Sequence, residues 1–87
     1  MRNLDTIRKG SCVLVKWHDA QMVAQWTKQE DFVGQPLPEI ATVGIWVGTT
    51  PTTVCVAHSV SDDDDCDGMR IPKAWVTSIK ILQKGKG

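Results

Sequence analysis

Ala41-Thr42-Val43-Gly44-Ile45-Trp46-Val47-Gly48, then Thr49-Thr50-Pro51, then Thr52-Thr53-Val54-Cys55-Val56-Ala57-His58-Ser59-Val60 is the stretch that decides the fold class. From Ile40 to Ser61 it holds no Lys, Arg, Asp or Glu, and it is long enough to cross a bilayer as a helix. Gly44, Gly48, Pro51, His58 and five threonines interrupt it, and its apolar residues alternate instead of running together. Period-two alternation in β-branched residues on both sides of a Thr-Thr-Pro turn predicts a β-hairpin. Val43, Ile45 and Val47 share one face of the first strand, and Thr42, Gly44 and Trp46 the other. With the valines taken as the interior, Trp46 points outward.

Working outward, Ser11 to His18 (SCVLVKWH) alternates in the same way, with Val13, Val15 and Trp17 on one face. Asp19 to Phe32 (DAQMVAQWTKQEDF) reads equally as a helix capped by Asp19 and carrying Met22, Val23 and Trp26, or as a long irregular loop. Gly34, Pro36 and Pro38 end any regular element there. After the hairpin comes the polar loop SDDDDCDG, then Met69 to Leu82 (MRIPKAWVTSIKIL). This last segment predicts a short strand, a break at Pro72, a 3₁₀ turn over Pro72 to Trp75 and a final strand. Eighty-seven residues suffice for one core, so residues 1–87 are expected as a single domain with flexible flanks at 1–10 and 83–87. About five short strands favour a small all-β barrel, whose closure removes exposed edges. Val13, Val15, Val43, Ile45, Val47, Val54, Val56 and Ile81 are its predicted core.

The order hairpin, acidic loop, short strand, "IPKAWV", final strand resembles the end of Src-homology-3-like barrels, in which a Pro-led 3₁₀ turn bearing an aromatic precedes the last strand. Trp75 is that aromatic. "VLVKWHDA", "GIWVG" and "IPKAWVTSIKIL" are also similar to small proteins of tailed phages, most without an assigned activity. The resemblance implies a five-stranded Src-homology-3-like barrel with a long, partly helical or irregular insertion after the first strand, and a phage-encoded protein. The chain has no Tyr, which sets it apart from the tyrosine-lined groove that such barrels use for Pro-rich peptides.

Ten Lys/Arg balance ten Asp/Glu, so general nucleic-acid binding is not expected. Three cysteines form no disulfide framework and point to a reducing, cytoplasmic setting, the host cytoplasm for a phage product. The first ten residues contain no apolar block that would direct secretion. Asp63, Asp65, Asp67 and Gly68 spell D-x-D-x-D-G, the first half of a calcium loop, but the twelfth position is Ala74 instead of a bidentate Glu. Cys55 and His58 have an odd spacing that turns them to opposite faces of a strand, and Cys12 and His18 lie roughly 20 Å apart on one. No phosphate loop or nucleophile motif is present. No enzyme and no cofactor are expected.

The aromatic and basic residues remain. Without Asp62, Asp63, Asp64, Asp65 and Asp67 the chain carries ten bases against five acids, so its charge is two-sided. An outward Trp46 marks a subunit contact, a partner site or a ligand platform, or else lies under a second small core made by residues 19–40. Trp46 and Trp75, with Arg70 and Lys73 flanking the Pro72 turn and His18 ending the first strand, form the candidate site. They suit a non-catalytic, homo-oligomeric protein that captures a small anionic ligand, such as a nucleotide second messenger of host defence, by stacking and charge. The alternative is an adaptor that covers a host or viral protein with an aromatic patch and the acidic loop. Neither requires a membrane.

Overall fold

The computed structural model describes residues 4–21, 23 and 25–85. A 3₁₀ turn at Leu4–Thr6 precedes β1 (Cys12–His18), α1 (Gln29–Gly34), β2 (Glu39–Thr49), β3 (Thr53–Val60) and β4 (Cys66–Pro72). A second 3₁₀ turn, Lys73–Trp75, leads into β5 (Val76–Gln83). All five strands belong to one antiparallel sheet in the order β4-β3-β2-β1-β5. The sheet is not closed: β4 and β5 remain its two edges, which corrects the expected closed barrel. Irregular register at Trp46/Gly48, Ala57/Ser59 and Lys16/Trp17 bends the strands. The curl gathers one core from β1 to β5, with Val13, Val15, Trp17, Trp46, Val54, Val56, Ile71, Val76 and Ile79 buried together.

The face of β2 is the reverse of the sequence expectation. Val13 pairs with Gly44, Val15 with Thr42 and Trp17 with Ile40, and residues directly opposite in an antiparallel ladder share a face. Gly44, Thr42 and Ile40 therefore turn inward with the β1 valines, and Trp46 follows them. Trp46 is 3% exposed and Val43 56%. Ile45 and Val47 are half-buried, and Ile81 on the edge strand is exposed, so four of the predicted core residues lie outside it. The inward set is preferred because its small members make room for large ones. The Trp17 indole N–H donates to the buried Thr42 Oγ1 at 3.0 Å, and a Cβ on Gly44 would stand 2.9 Å from the Ala57 carbonyl oxygen.

Within the flanks, residues 4–10 and 83–85 carry contacts to the sheet. Ile7 is buried, Gly10 N–H donates to the Trp46 carbonyl at 2.9 Å, and Trp46 N–H donates to the Ser11 carbonyl at 2.7 Å. Gly85 N–H donates to the buried Ser11 Oγ at 2.8 Å. Residues 1–3, 86 and 87 of those flanks lie outside the described residues. Among the described residues between β1 and β2, only Gln29–Gly34 is helical, and its N-cap is Lys28 instead of Asp19. Every residue of α1 is exposed, and Trp26 is fully so. Met22 lies outside the described residues. Among the described residues this connection forms no second core over Trp46.

Candidate functional site

The site begins at Pro72, whose ring holds φ at −56° and sets the chain into the turn Lys73–Trp75. Lys73 N–H donates to the Thr52 carbonyl at 2.8 Å, tying this turn to the β2–β3 hairpin tip. The turn delivers Trp75 onto Trp17 of β1. Their rings are stacked with centroids 6.4 Å apart and planes 14° from parallel. Trp17 is buried and oriented by Thr42, whereas Trp75 remains 42% exposed. The pair is thus a fixed inner indole supporting an accessible outer one, an arrangement suited to stacking and apolar contact.

The exposed part of Trp75 opens on a groove of about 510 Å³. Its walls come from the start of the β1–β2 connection (His18, Asp19, Ala20, Gln21), from Leu37 at its end, and from Ala74 and Thr77 beside the tryptophan. Cross-strand pairing of His18 with Glu39 brings the two ends of the connection together, and Asp19 N–H donates to the Pro38 carbonyl at 3.1 Å. His18 Nε2 lies 3.8 Å from Glu39 Oε2, both side chains about half exposed. Asp19 Oδ1 accepts the Ala20 N–H at 2.8 Å, and Thr77 Oγ1 donates to the Lys16 carbonyl at 3.1 Å. Asp19 is the acidic member of the wall, and among the described residues no Lys or Arg lines it.

Two of the five candidate residues, Trp75 and His18, therefore meet in one groove. Lys73 shares the turn with Trp75 but does not line the groove, and Arg70 lies exposed on β4 opposite Cys55. Trp46 is a core residue, which removes its outward role. Of the weak calcium loop, Asp63 and Asp65 lie in the β3–β4 turn and Asp67 in β4. Ser61 Oγ closes that turn by accepting the N–H groups of Asp63 and Asp65 at 3.3 and 3.1 Å. Among the described residues no three His, Cys, Asp or Glu side chains converge as a metal site. The sequence reading missed Asp19, Gln21, Leu37 and Thr77, which carry no local motif and meet only through pairing distant in sequence.

The displaced valine face lines a second, more apolar groove of about 330 Å³, with Ile45, Val47, Val60 and Cys66 between Lys9 and Asp64. Comparisons of the chain with protein-family models, with curated proteins and with solved structures find no match. Among the described residues no helix is long and apolar enough to cross a membrane. The chemistry of the grooves is what bears on function.

Proposed function

We propose that this protein is a non-catalytic binding module that holds an extended segment of a partner protein in the groove over Trp75. The observation that carries the reading is the Trp17–Trp75 stack, with its outer ring open to a groove of about 510 Å³. That volume lies within the range of sites that bury a ligand side chain or small molecule. Trp75 and Leu37 offer apolar anchoring, while His18, Gln21 and Thr77 offer hydrogen bonds to a peptide backbone. Asp19, with Glu39 close to His18, makes the groove inhospitable to an anion. We infer further that the sheet is an opened Src-homology-3-like barrel, a reading supported by the strand order and by the 3₁₀ turn directly before the last strand.

Capture of a small anionic ligand by a phage-encoded protein is the competing proposal, favoured by Lys73 two residues from Trp75 in the same turn. Selecting a displayed peptide library on the protein, with counter-selection on Trp75→Ala, separates the two. The module reading expects enriched peptides whose affinity falls about tenfold or more in Trp75→Ala. A cyclic nucleotide that binds by calorimetry, weakens as salt rises and loses affinity in Lys73→Ala would favour the competing reading. Ligands bound equally well by folded Trp75→Ala would remove this groove as the site.

A further inference from the structure

Among the described residues the open sheet leaves β4 and β5 each with one side unpaired, and such an edge presents N–H and C=O groups ready to receive another strand. Asp62, Asp63, Asp64 and Asp65 directly precede β4 and Asp67 is its second residue, while Lys80 lies in the second half of β5 and Lys84 directly after it, all exposed. The ion pair described above joins His18 and Glu39; none of these seven side chains has an ion-pair partner among the described residues. Along β5 the exposed apolar residues Ile81 and Leu82 accompany the lysines, with no Pro or acidic residue in the strand. It is a long, apolar and basic edge without the features that usually guard one, apart from Lys80.

We propose that β5 of one copy of this chain pairs antiparallel with β4 of the next, so that copies join head to tail. Antiparallel alignment sets the acidic entry of β4 beside the basic end of the neighbour's β5, and covers Ile81 and Leu82. Pairing β5 with another β5 offers the lysines no acid, while pairing β4 with β4 leaves the apolar β5 edge bare. Within one chain, four steps of sheet twist of about 20–25° each turn β5 well away from β4. A neighbour must therefore approach rotated, and rotation is what lets a head-to-tail contact close into a ring.

The test is mass by light scattering on the full chain across protein concentration and salt. The wild type should exceed its 9.6 kDa monomer mass at low salt and shift toward it as salt rises. Lys80→Glu with Lys84→Glu, and separately Asp63→Lys with Asp65→Lys, should each give monomers with unchanged circular dichroism. Mixing the two variants one to one should restore assembly, since each then supplies the edge that the other needs. A wild type that stays monomeric up to about 1 mM, weaker than any functional association at cellular concentration, overturns the proposal. So does a dimer indifferent to the lysine variant, which would mark a β4–β4 contact, or a mixture that fails to reassemble.

Discussion

Trp46 and Trp75 exchange roles between sequence and structure, and their substitution energies should show it. Trp46 is buried among Val13, Val54 and Val56, so Trp46→Ala should cost about 3–5 kcal/mol in urea unfolding. Trp75, 42% exposed, buries less area than Trp46 and gives up stacking on Trp17 worth about 0.5–1.5 kcal/mol beyond that area, together with the proposed ligand contact. Stability and binding should therefore separate, with Trp46→Ala affecting the first and Trp75→Ala the second. Comparable losses from the two variants in urea would contradict the burial pattern. Thr42 adds a polar constraint: Thr42→Val leaves the Trp17 N–H buried without its partner and should cost about 1–3 kcal/mol. The same change should blur the near-ultraviolet dichroism of the indole pair.

At the scale of the element, the β3–β4 hairpin depends on close backbone approach and on a hydroxyl. Gly68 pairs with Ala57, and a Cβ there would stand 2.7 Å from the Ala57 Cα and against the Val56 carbonyl oxygen. Gly68→Ala should therefore destabilise by about 1–3 kcal/mol, since backbone cannot move aside as a flexible side chain can. Ser61 closes the turn, with its N–H donating to the Asp65 carbonyl at 2.7 Å besides the two bonds that its hydroxyl accepts. Ser61→Ala should lower stability by about 0.5–1.5 kcal/mol. A chelator should leave the melting temperature unchanged, because the turn is closed by serine instead of by carboxylates around a cation; a chelator-induced fall of several degrees would reinstate the calcium loop. The run of aspartates and the limits of β3 were legible in the sequence, whereas Cys66, Asp67 and Gly68, expected in the polar loop, open β4. The serine's role was not legible, because it depends on the turn's geometry.

For the whole molecule, the radius of gyration is 15.7 Å, against about 12 Å for a compact chain of this length. Among the described residues, α1 and Trp26 in the β1–β2 connection are exposed and belong to no core cluster. The ends of that connection already meet through the His18/Glu39 pair and the Asp19–Pro38 hydrogen bond. Replacing residues 22–36 by a short Asn-Gly turn should therefore preserve the β-type circular dichroism spectrum and a cooperative melt. Shortening a loop changes its closure entropy only by about 0.6 kcal/mol per halving. Ligand affinity should fall if Gln21 and Leu37 lose their positions around the groove. Loss of the folded spectrum would show that the connection stabilises the sheet after all.

The sequence by itself determined the all-β class, the approximate strand limits, the Thr-Thr-Pro turn and the short turn before the last strand, because period-two patterning, Pro and Gly act over a few residues. It also singled out His18 and Trp75. Only the tertiary structure decided which face of β2 is inside, since an alternating strand has two faces and a one-residue choice exchanges them all. Val43-Gly44-Ile45-Trp46 satisfies either choice locally; the pairing of β1 with Gly44 and Thr42 breaks the tie by leaving room for two indoles. The stack of Trp17 on Trp75, the groove between segments far apart in the chain, and the two open edges all depend on non-local strand pairing, and no local pattern of residues encodes where the sheet stops curling.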